Sequence, residues 1–115
     1  MGWLNSSLVF SAPELFSLDE VLLEIITRLR DSLARDGAET AHLKTIGLSE
    51  GFYGVANLVS SENEPELSLP SNCRASTVNL IVNARVAIDP KSLERHVRQA
   101  VGSICSSRSA TADFR

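Results

Sequence analysis

At 115 residues the chain has room for one domain, large enough to bury most of its apolar surface. Its 11 basic and 14 acidic residues give a net charge of -3, so it lacks the broad positive field of general nucleic-acid binders. A content of 43% hydrophobic and 22% charged residues argues against disorder, and charges break every apolar run well short of the ~20 residues a membrane span needs.

Two cysteines, Cys73 and Cys105, have neither zinc-site spacing nor the density of a disulfide scaffold, so free thiols of a cytoplasmic protein are expected. The opening Met1-Gly2-Trp3-Leu4-Asn5 has no basic stretch leading into an apolar run, which agrees with a cytoplasmic location.

The first strand is expected over 3–10, ending at the Ser-Ala-Pro break. A capping box, Ser17-Leu18-Asp19-Glu20, then opens a helix over 17–36, with Leu18, Val21, Leu22, Ile25, Leu29 and Leu33 on one stripe and Gly37 as its stop. Stretches 39–48 and 52–60 form a hairpin about Ser49-Glu50-Gly51. Residues 61–73, with three glutamates and two prolines, read as a solvated loop without calcium-loop spacing.

The clearest period-two signal runs over 77–88, where Val78, Leu80, Val82, Ala84, Val86 and Ile88 alternate with the intervening residues. Asp89-Pro90 caps a second helix with an inward stripe of Leu93, Val97, Ala100, Val101 and Ile104, and His96 is expected on or near its solvated side. Residues 106–115 lack periodicity and are expected to be a disordered tail after a single domain over 1–105. The predicted fold is α+β, a two-layer βαβββα arrangement: a four-stranded, mostly antiparallel sheet with two helices on one face.

Two layers leave one sheet face open. Asn79, Asn83 and Arg85 lie opposite the core stripe of the strand over 77–88, and Thr40, His42 and Lys44 alternate onto the same face if the strands pair in the simplest register. Of these, His42, Lys44, Asn79, Asn83 and Arg85 are the candidate ligand-binding residues, a set of cations and amides suited to anionic or carbonyl-bearing groups. No HxxxH, HExxH or CxxC metal motif occurs, no serine lies in a GxSxG elbow, and the GxxxxGK[ST] and GxGxxG phosphate loops are missing. Neither catalytic residues nor a bound metal or cofactor are therefore expected.

Three short motifs, Ala41-His42-Leu43-Lys44, Val55-Ala56-Asn57-Leu58, and Val82-Asn83-Ala84-Arg85-Val86 with the later Pro90-x-x-Leu93, resemble a region that accompanies some CobW-type GTP-binding proteins, relatives of metallochaperones and cobalamin-synthesis accessory factors. The resemblance covers roughly 38–101. It implies an accessory domain without the GTPase, since the family's P-loop and cysteine motif are both missing. It marks His42, Lys44, Asn83 and Arg85 as motif positions without assigning them a role.

The function expected is that of a non-enzymatic accessory or regulatory domain that binds a small anionic ligand or a protein partner through the open face, linked by the resemblance to cobalamin or metal-cofactor metabolism. Two alternatives come from other classes. One is an RNA-binding module of αβββα type, disfavoured by the single lysine at the start of the second helix; the other is a homodimer formed through the open face.

Overall fold

The computed structural model describes residues 2–60 and 62–115. Met1 and Ser61, the first residue of the expected loop, lie outside the described residues.

Ser17, extended at φ -75° and ψ 119°, accepts the Glu20 N–H on its Oγ at 3.3 Å, and helix α1 (Leu18–Arg35) follows. The residues expected on its apolar stripe are all buried, joined by Ile26. Asp89 opens α2 (Pro90–Arg108) in the same way, its Oδ2 accepting from Ser92 N at 2.9 Å with Pro90 in the first turn, where a missing N–H costs nothing.

The strands are β1 (Gly2–Ser17), β2 (Thr40–Ser49), β3 (Phe52–Leu58), β4 (Glu66–Leu69), β5 (Arg74–Val86) and β6 (Thr111–Phe114). They form one antiparallel sheet in the order β4-β3-β2-β5-β1-β6. Because β5 is antiparallel to both β1 and β2, these two run parallel, and α1 crosses over β5 to join them. By the same logic α2 crosses over β1 to join β5 and β6. Two interlocked split β-α-β units result, the ferredoxin-like topology, with β3 and β4 added beyond β2.

Among the described residues six strands replace the expected four, and both additions lie where irregular chain was expected. Within the loop expected over 61–73, Glu66–Leu69 pairs with β3 as an edge strand; its four residues are too few to show a period, and the glutamate suits an exposed edge. At the other margin the expected disordered tail is ordered. Helix α2 runs on to Arg108, Ser109 takes a left-handed conformation at φ 54°, and the chain turns back so that β6 pairs with Leu8–Ser11 of β1. β1 also outlasts its expected end. Pro13 falls in the register break between Ser11 and Phe16, where no ladder hydrogen bond is required of it.

One sheet face and both helices share the core. Leu8, Phe10, Leu43, Leu58, Val78, Leu80, Val82 and Val86 meet the buried stripes of α1 and α2, and Phe10 packs edge-on against Phe16 with ring centroids 5.2 Å apart. α1 approaches β2 so closely that a β-carbon on Gly47 would come within 2.6 Å of Leu18 Cδ1. The β2–β3 hairpin turns on Glu50 and Gly51 alone, both at positive φ (48° and 86°), as a two-residue turn with the twist of the flanking strands requires.

Candidate functional site: the polar end of the open sheet face

The face turned away from the helices is ordered by its cross-strand pairs. In one rung Trp3 of β1 lies opposite Arg85 of β5, which lies opposite His42 of β2. In the next rung Asn5, Asn83, Lys44 and Asn57 stand side by side across β1, β5, β2 and β3. Side chains opposite one another in such pairs have β-carbons about 4.5–5.5 Å apart. Four of the candidate residues, His42, Lys44, Asn83 and Arg85, are thereby brought together.

A β-bulge makes this register work. Thr40 pairs with Val86 and His42 with Arg85, so Ala41 is an extra residue in β2. Simple alternation would put Thr40 beside His42 on the open face. The bulge instead turns it inward with Val86, leaving it only 4% exposed, which corrects the expected Thr40, His42, Lys44 set. Asn79 is exposed on the open face but pairs with Leu48 and Val9, four residues along β5 from Asn83 and so about 13 Å away. It does not line the groove that the other four share.

That groove has a volume of about 730 Å³. Trp3 and Val59 rim it, 68% and 59% exposed, while His42, Lys44, Asn83 and Arg85, with Asn5, supply its polar lining. Among the described residues no aspartate or glutamate lines it, Glu66 of β4 standing beyond Asn57 at the far end of the second rung. Among the described residues, Lys44 and Arg85 have no carboxylate within ion-pair distance. The Arg85 guanidinium lies over the Trp3 indole, 4.9 Å from the ring centroid. Sequence reasoning passed over Trp3, Asn5 and Val59, although the alternation Trp3, Asn5, Ser7, Val9 carries the signal once β1 is known to neighbour β5.

Beyond the polar rungs the open face turns apolar. Leu69, Val55, Ile46 and Ile81 are successive partners across β4, β3, β2 and β5, and the next rung holds Tyr53, Leu48 and Val9 with Asn79. An open antiparallel face is commonly solvated and polar.

On the helix side, His96 is buried at 6% exposure, contrary to its expected solvated position. Its Nδ1 lies 2.6 Å from Ser32 Oγ and its Nε2 2.8 Å from Asp36 Oδ2, so the ring fastens α2 to the end of α1. Serine, histidine and aspartate are linked as in a hydrolytic relay but through the opposite ring nitrogens, and Ser32 sits inside α1, where the neighbouring amides are spent on the helix ladder and cannot form an oxyanion hole. Burial pushes the Cys105 thiol above its ordinary pKa, and both cysteines are free. Among the described residues no three His, Cys, Asp or Glu side chains gather as metal ligands, and no helix is long and apolar enough to cross a membrane.

No family model, no curated protein and no solved structure matches the chain.

Proposed function

We propose that this protein is a non-enzymatic accessory or regulatory domain that binds a small anionic ligand in the groove of Trp3, His42, Lys44, Asn83 and Arg85. The observation that carries the reading is the sign of the lining: lysine, arginine and histidine converge without a carboxylate, in a chain whose net charge is -3. Keeping unpaired cations adjacent has a repulsive cost, which a bound carboxylate or phosphate would relieve. The volume lies within the ~300–1,000 Å³ range of small-molecule sites. The motif resemblance supports placing such a domain beside a GTP-binding protein of metal or cobalamin handling.

Calorimetric titration with pyrophosphate at low ionic strength tests the reading. Binding weakened at least about tenfold by Arg85→Ala, as expected when one charge-assisted contact is lost, and unchanged by Lys91→Ala outside the groove, supports it. Equal affinities for the wild type and Arg85→Ala refute it.

The aliphatic rung favours a second reading, a homodimer joined through the open face. Leu69, Val55, Ile46 and Ile81 form a continuous apolar row on this face, in which Leu69 is exposed, Ile46 and Ile81 are half-buried and Val55 is buried beneath them. Sedimentation equilibrium would then show a dimer that Ile81→Lys converts to a monomer.

A further inference from the structure

Resting on the anion-binding reading of this groove, we infer that its ligand is a planar aromatic anion, with the ring stacked on the Arg85–Trp3 pair and the acid group on Lys44. The guanidinium carbon of Arg85 lies over the Trp3 ring, 4.9 Å from its centroid. The Arg85 side chain is exposed and makes no hydrogen bond or ion pair to another described residue, so the side of the guanidinium away from the indole and its N–H donors are available. A guanidinium lying over one ring can take a second on its other side, because it stacks as well as donates. An ammonium in its place would supply charge without a plane.

The register sets the size of the ligand. Lys44 follows His42 by two residues on β2, and His42 is the direct partner of Arg85, so Lys44 lies on the diagonal, about 7–8 Å from Arg85. A fused two-ring acid spans that distance, with its far ring over Arg85 and its carboxylate or phosphate at Lys44. Asn83 beside the lysine and Asn5 beyond it in the same rung line the groove and offer amide donors and acceptors to the edge of such a ring system. Trp3 and Val59 close the ends of the groove with apolar surface.

Matched acids provide the test: naphthalene-2-carboxylate and its saturated counterpart decahydronaphthalene-2-carboxylate, with pyrophosphate as the non-aromatic anion, each titrated by calorimetry. The saturated acid is the more apolar, so hydrophobic burial alone would favour it. The expected result is that the aromatic acid binds about three- to fivefold more tightly, the worth of one exposed cation–π stack. In Arg85→Lys both acids should still bind but the preference should vanish, and Trp3→Leu, at an exposed position, should lower it with the fold unchanged by circular dichroism. Equal affinities for the two acids, or a preference that survives Arg85→Lys, overturn the aromatic inference while leaving the anion site standing. Failure of all three anions to bind overturns both.

Discussion

The carboxylate of Asp19, in the first turn of α1, is held by Ser71 of the β4–β5 connection. Ser71 N donates to Oδ1 at 2.9 Å and to Oδ2 at 3.1 Å, Ser71 Oγ donates to Oδ1 at 2.8 Å, and Asn72 N adds a donation to Oδ2 at 3.0 Å. Burial by itself would raise the pKa of this group; the donors outweigh it and hold the carboxyl below its ordinary value. A depressed folded-state pKa stabilises the fold above the unfolded pKa of about 3.9, and the contribution is lost as pH falls through the lower folded value. Asp19→Asn should therefore cost about 1–2 kcal/mol at pH 7. In urea titrations from pH 7 to pH 2 the gap from the wild type should narrow below pH ~4, and a gap as wide at pH 2 as at pH 7 would show that the ionised form contributes nothing.

Neighbouring positions of β5 should respond oppositely to the same charge. Val82 is fully buried in the core that includes Leu22, Ile25, Leu80 and Val97, whereas Asn83 lines the groove. Val82→Asp places an unpaired carboxylate among aliphatic side chains and should abolish cooperative folding. Asn83→Asp should leave stability within about 0.5 kcal/mol and weaken anion binding beside Lys44. Circular dichroism and urea unfolding of the two variants distinguish the faces; similar losses in both would contradict the register.

Gly47 is constrained by contact rather than by conformation. An added methyl would meet Leu18, a fully buried side chain with little room to shift, and Leu22 Cδ2 at 3.2 Å. Gly47→Ala should destabilise the protein by about 1–3 kcal/mol through overpacking. Gly51→Ala, with open space around the site but positive φ, should instead act through backbone strain. Combined in one chain, the two losses should add, since the clash and the strain share no partner.

The C-terminal segment contributes to the fold. Phe114 lies under the Arg98 guanidinium at 4.3 Å, Ala110, Ala112 and Phe114 pack against the core, and Arg115 N donates to Ser7 O at 2.8 Å. Deleting residues 109–115 should lower stability by about 1–3 kcal/mol through lost apolar burial and an uncovered β1 edge. Thermal denaturation reads the effect directly, and an unchanged midpoint would mean that β6 adds nothing.

Local chemistry alone determined the two helices and the inward face of β5. The Ser17 and Asp89 caps, the stripe from Leu18 to Leu33 and the alternation from Val78 to Val86 each declare themselves within one or two turns of chain. Four of the five candidate groove residues were legible for the same reason, since alternation fixes which side of a strand a residue takes. Pairing between distant segments decided the rest. β4 and β6 have four residues each and become strands only because β3 and β1 offer them an edge; Thr40 turns inward because β2 must gain a residue to keep both Val86 and Arg85 in register; and Trp3 joins the groove because β1 lies next to β5. His96 is buried because α2 packs against the end of α1, where Ser32 and Asp36 satisfy both ring nitrogens. Periodicity reports how a segment divides between inside and outside, whereas edges, bulges and cross-strand neighbours are properties of two segments at once and exist only after the chain has closed on itself.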